Sequence, residues 1–117
     1  MHDDIIFIGT ISPDGITGTI EYEIEQDGWQ RRRVPLFLDE VNHSPTGFMW
    51  GYHGSGPAQS AYAILRVFSN SEKFARDYHH AFQQDVISRL NKDERWTFSG
   101  EQIDKWFTIS ILGETGG

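Results

Sequence analysis

The spacing of hydrophobic and polar positions changes partway along the chain. Ile20, Tyr22 and Ile24 alternate with Glu21, Glu23 and Glu25, the period-two pattern of a half-buried strand. A three-residue loop at Gln26, Asp27 and Gly28 would set Glu23 opposite Arg31, Glu21 opposite Arg33 and Ile20 opposite Val34. A two-residue Asp-Gly turn would set Ile24 against Arg31 instead, so the longer loop is preferred. The arginine triplet 31–33 then serves as cross-strand partners for the glutamates, with Pro35 near a strand end or an edge. Upstream, IIFIGTI reads as a short strand, and SPDG has the chemistry of a tight turn. Phe48–Tyr52 is a further strand candidate, short and interrupted by glycine.

From Pro57 the period becomes helical. Ala58, Ala61, Tyr62, Ile64, Leu65 and Phe68 predict a helix buried on most sides, with Gln59, Ser60 and Arg66 as its few polar positions. Pro57 suits the first helical position and Ser55 or Gly56 the cap. Ser71 is placed to cap a second helix, where Phe74, Tyr78, Phe82, Val86 and Leu90 recur every fourth residue for about twenty residues, to near Asn91. The capping box Ser99-x-x-Gln102 opens a third helical stretch through Ile103, Trp106 and Phe107; the following TISIL reads equally as helix or strand. The expected fold is therefore α+β, an N-terminal antiparallel β-meander of three to four strands packed against two to three C-terminal helices. Residues 1–112 form one domain, and 113–117 a flexible tail without apolar content.

Composition narrows the class. The chain is 38% hydrophobic and 14% aromatic, too apolar for a disordered segment. It has no cysteine, which removes disulfides and thiolate metal sites and accords with a cytoplasmic location. The start MHDDIIFIGTI carries acids where a signal peptide carries bases. The formal charge is −7, and residues 1–65 hold nine acids against three bases. Such a chain is a poor ligand for duplex nucleic acid, and nothing in it spans a membrane.

The stretch NHSPTGFMWGYHGSGPAQ, residues 42–59, holds the densest chemistry. A glycine-rich turn between strand and helix can hold an anion on backbone amides, here those of Gly54, Ser55 and Gly56. The order Gly51-x-x-Gly54-x-Gly56 is neither a dinucleotide fingerprint nor a P-loop. Ser55 lacks the glycine two residues earlier that a nucleophile elbow needs, because that position is His53. The five histidines raise a metal site, but His79 and His80 are adjacent on a helix and should point about a hundred degrees apart. His43 and His53 share a loop, but there is neither a Cys nor a nearby H-x3-H pair. No metal, cofactor or catalytic residue is assigned. The structural alternative makes the stretch a corner, with Phe48, Trp50 and Tyr52 buried against the helices and Gly56 permitting close packing.

NHSPTGFMWGYHGSGPAQSAYAIL closely resembles the DUF6166 family of uncharacterised domains, whose segment typically reads HSPDGFEWGYGGSGPAQLALAIL. FARDYHHAFQQDVISRL and Trp96-Thr97-Phe98 extend the likeness more loosely. Met49 stands where an acid is usual and His53 where glycine is usual. The resemblance implies a domain without an assigned reaction, found in bacteria, archaea and mobile elements.

These readings lead to a small non-catalytic binding module, a phage or mobile-element accessory protein of anti-defence type that binds a host protein. Glu21, Glu23 and Glu25 are candidates for contacting a partner protein with a basic surface. The alternative is a small anionic or nucleotide-like ligand at the loop, with His43, Trp50, Tyr52, His53, Gly54, Ser55, Gly56 and Gln59 as candidate residues. A hydrolase ranks below both.

Overall fold

The computed structural model describes residues 4–113; His2 and residues 114–117 of the expected tail lie outside them. The fold is α+β. Strands β1 (Ile5–Ile11), β2 (Gly18–Glu25) and β3 (Trp29–Arg33) form the expected meander. A fourth, β4 (Trp96–Ser99), completes an antiparallel sheet of order β3-β2-β1-β4. The hairpin register is the one the charges predict: Glu23 faces Arg31, Glu21 faces Arg33, and Val34 N–H donates to Ile20 C=O at 2.9 Å. Its loop is the three-residue one, with Asp27 and Gly28 both at positive φ. The β1–β2 turn closes through Asp14, whose carboxylate accepts from Ile16 N–H.

The fourth strand corrects the reading of Phe48–Tyr52. That segment forms only an isolated bridge, Phe48 to Gly18, and its apolar side chains enter the core from a loop. β4 pairs with β1 instead, Ile6 opposite Ser99 and Gly9 opposite Trp96.

Helix α1 (Ser55–Ser69) is buried without a break from Gly56 to Leu65, as a helix that is apolar nearly all round must be. It begins slightly earlier than Pro57 implies: Gly54 is the cap and no side chain fills that role. Helix α2 (Glu72–Asp85) starts where expected, Ser71 Oγ accepting from Phe74 N–H. It stops short of Asn91 because Val86 leaves helical geometry, and a single 3₁₀ turn, Ile87–Arg89, follows. Helix α3 (Gly100–Trp106) carries the complete capping box. The ambiguous TISIL is helical, the chain continuing from α3 through a wider turn over Phe107–Ile111. The core joins Ile5, Phe7, Ile20 and Ile24 of the sheet to Ala61, Tyr62, Leu65 and Phe68 of α1, Phe82 of α2 and Ile103 of α3. Among the described residues no helix is long and apolar enough to cross a membrane.

Candidate functional site

Residues 34–54, between β3 and α1, contain no helix or strand, so their backbone groups need partners from elsewhere. Gln59, fully buried on α1, supplies four. Its Oε1 accepts from His43 N–H at 2.7 Å and Ser44 N–H at 3.2 Å. Its Nε2 donates to Leu36 C=O at 2.6 Å and Val41 C=O at 2.8 Å. One residue on, Ser60 Oγ accepts from Met49 N–H at 3.1 Å and donates to Met49 C=O at 2.7 Å. Two of the few polar positions of the helix are thus among its most buried. Their polarity serves the loop.

Glu40 closes the same loop onto α1. Its Oε1 accepts from Tyr62 Oη at 2.7 Å and from Arg66 Nε at 2.9 Å, and Arg66 lies over the Phe37 ring. Burial works against the Glu40 carboxylate, but the bonds from Tyr62 and Arg66 outweigh it and hold its pKa below the usual range. Burial first, and then Glu40, push the Tyr62 phenol upward, so it remains a donor across physiological pH. Tyr62→Phe should cost about 1–2 kcal/mol in urea unfolding by leaving this carboxylate one donor short. A loss below the error of the measurement would remove Tyr62 from the clasp.

The loop so held presents His43 to α2. His43 Nε2 lies 3.1 Å from His79 Nε2, and His79 Nδ1 donates to Ala75 C=O at 2.8 Å, with Arg76 C=O at 3.1 Å. The His80 ring centroid is 4.1 Å from that of His79 and 5.6 Å from that of His43. The expectation that adjacent histidines on a helix diverge is therefore corrected: one ring nitrogen from each of His43, His79 and His80 lies within 4.8 Å of the others. His79 is buried, His43 half-buried and His80 exposed. His53, the loop partner considered for His43, is not in the group. The pairing with α2 could have been found only by knowing that the loop folds back onto that helix.

Burial, with His80 nearby, lowers the pKa of His79 to about 4, and burial lowers that of His43. His79 titrates near 6.5 when unfolded and near 4 when folded, so between those values the unfolded chain binds more protons. Its contribution is complete above pH 6.5 and falls by about 3 kcal/mol as pH drops toward 4. Urea midpoints at pH 7.5 and 4.5 should separate less in His79→Phe than in the parent; equal separations would show that His79 is not the source.

The other candidate residues divide between interior and surface. Trp50, Gly56 and Gln59 are inside, and Gly56 faces Met49 so closely that an added Cβ would lie 2.8 Å from the Met49 Cβ. Tyr52, His53 and Ser55 are exposed, and Gly54 half-exposed. Tyr52 was expected to bury beside Phe48 and Trp50, and is instead 41% exposed. The Ser55 and His53 side chains form no hydrogen bond with each other among the described residues, and Gly54 C=O accepts from Ala58 N–H and Gln83 Nε2. On the sheet, Arg31 Nε donates to Glu23 Oε1 at 2.9 Å, while Glu25 stands opposite Trp29.

No curated protein and no solved structure matches the chain. A family model does match, over residues 15–109, from the β1–β2 turn through α3. On that match the chain belongs to DUF6166, a family of unknown function.

Proposed function

We propose that the protein is a non-catalytic binding module that captures an extended acidic segment of a partner protein along the free edge of β3. The observation that carries this reading is that β3 is an edge strand exposed at all five residues. The Val34–Ile20 bond fixes the phase of the ladder, and with antiparallel alternation the backbone groups of Trp29, Arg31 and Arg33 face away from β2. Such an edge is a template for strand addition. Three successive arginines oppose pairing with a second copy and favour an acidic strand. Trp29 is 57% exposed, and Trp and Arg are residue types on which interface energy concentrates. Glu21 and Glu23 lie beside Arg33 and Arg31, which offsets the acidic stripe and weakens its support for a basic partner. A mobile-element accessory protein occupying a host protein's surface would act in this way.

A panel of eight-residue acidic peptides of high β-propensity, read by fluorescence anisotropy, tests the proposal. Binding should weaken at least tenfold in Arg31→Pro, which removes an outward N–H and leaves the inner ladder intact. Binding unchanged in that variant, or absent at about 1 mM peptide, would sink it.

The uncapped start of α1 supports a second reading, a small anion on the Ser55 and Gly56 amides. Millimolar phosphate or sulfate should then raise Tm in a thermal shift; an unchanged Tm removes this reading.

A further inference from the structure

His43, His79 and His80 come from two separate elements and converge, and neither the hairpin edge nor the fold core accounts for their convergence. Two features distinguish the group from histidines that merely share a surface. The first is protonation. Backbone carbonyls only accept, so the bonds from His79 Nδ1 to Ala75 C=O and Arg76 C=O place the proton on Nδ1. Nε2 therefore carries a lone pair, and it points at His43. A ligating histidine is held in the same way, its second nitrogen donating to a carbonyl. The second feature is distance. With metal–nitrogen bonds of about 2.0–2.1 Å, two ligands subtending 90–110° lie about 2.8–3.4 Å apart. The observed separation of the two Nε2 atoms is 3.1 Å.

We propose that His43, His79 and His80 bind a divalent first-row transition ion of the zinc class through three imidazole nitrogens. The three ring nitrogens lie within 4.8 Å of one another, so the exposed His80 side chain closes in on the His43–His79 pair to supply the third ligand, from the side at which the ion enters. Imidazole without thiolate suits Zn²⁺, Co²⁺, Ni²⁺ and Cu²⁺ and disfavours Mg²⁺ and Ca²⁺, which require oxygen ligands. The site is preorganised on the loop side, because Gln59 holds the His43 backbone at 2.7 Å. A bound ion would add to the present ties between the 34–54 loop and α2, which are the His43–His79 contact, Gln83 Nε2 donating to Gly54 C=O and Arg76 donating to Glu40 C=O at 2.6 Å. This proposal is independent of strand capture at β3, and its test uses no peptide.

The competing arrangement is a neutral hydrogen bond, His43 Nε2–H donating to His79 Nε2, with no affinity for an ion. Full-length chain, freed of metal by chelator and dialysed, should be titrated with Co²⁺ and with Zn²⁺. Co²⁺ should produce a visible ligand-field absorption that Zn²⁺ abolishes, and Zn²⁺ should raise Tm. Histidine side-chain ¹⁵N spectra should show shifts at His43, His79 and His80 on Zn²⁺ addition. Affinity should fall at least about tenfold in His80→Ala and about a hundredfold in His43→Ala, and stay within about twofold in His53→Ala. His80 is exposed, so its variant keeps the fold and the test does not depend on His79. No change at about tenfold molar excess of Zn²⁺, unaltered affinity in both ligand variants, or ¹⁵N shifts confined to other histidines would each overturn the proposal.

Discussion

Replacing Gln59 by leucine will destabilise the protein by about 3–5 kcal/mol, although leucine matches the apolar run around it and fits its volume. The cause is not lost packing. Four backbone groups, His43 N–H, Ser44 N–H, Leu36 C=O and Val41 C=O, depend on this one amide, and each buried group left alone costs about 1–3 kcal/mol. Water reaching the loop will return part of that sum, so the net loss stays below the simple total. Against the usual 5–15 kcal/mol of a domain, this is a large share. Gln59→Glu discriminates further, since a carboxylate still accepts from His43 and Ser44 but cannot donate to Leu36 and Val41. Urea midpoints measure both variants, and amide exchange at His43 and Ser44 should accelerate in Gln59→Leu. A loss under about 1 kcal/mol would mean that the loop finds other partners.

The second large effect lies between the sheet and two tryptophans. A Cβ added at Gly9 would sit 2.1 Å from the Trp96 ring, and one at Gly18 would sit 2.2 Å from the Trp50 ring. Neither glycine is in the left-handed region, so the constraint is space alone. Gly9→Ala and Gly18→Ala should each cost about 1–3 kcal/mol by overpacking. The two rings meet edge to face with centroids 5.2 Å apart, so a shift of one disturbs the other and the double variant should depart from additivity. Gly18→Ala combined with Trp50→Phe should regain part of the loss. If the alanine variants unfold at the parent's denaturant concentration, the rings have room to move and the packing argument is wrong.

These two sites also mark what could be read from residues in order. The hairpin was fully legible, because period-two alternation, a positive-φ loop and opposite charges agree on one register. Helix starts at Ser71 and Ser99 were legible for the same local reason: an oxygen acceptor two or three residues before exposed amides. β4 was not. Trp96–Ser99 is four residues long and owes its strand conformation to β1, far away in sequence, whereas Phe48–Tyr52 looks more strand-like and has no neighbour to pair along its length. The sequence marks Gln59 as a polar position of a largely buried helix but not its role, because only the irregular loop beside it supplies the four backbone groups that the amide serves. The histidine trio failed for a related cause. Helical angles describe where Cβ atoms point, whereas His79 and His80 have rings that bring their nitrogens back together beside a residue of another element.

The place of β4 has a consequence for how the protein is made. Ile6 and Ile8 of β1 pair with Ser99 and Thr97, so on a ribosome that side of the sheet waits until residues 96–99 have been made. Until then β1 offers IIFIGTI, an apolar segment of high β-propensity without charge or proline, as an open edge. The arginines of β3 guard the opposite edge from the moment the hairpin forms, and no charged residue lies within β1. A chain stopped before Trp96 would therefore self-associate along β1, and synthesis of the last strand is what ends that exposure.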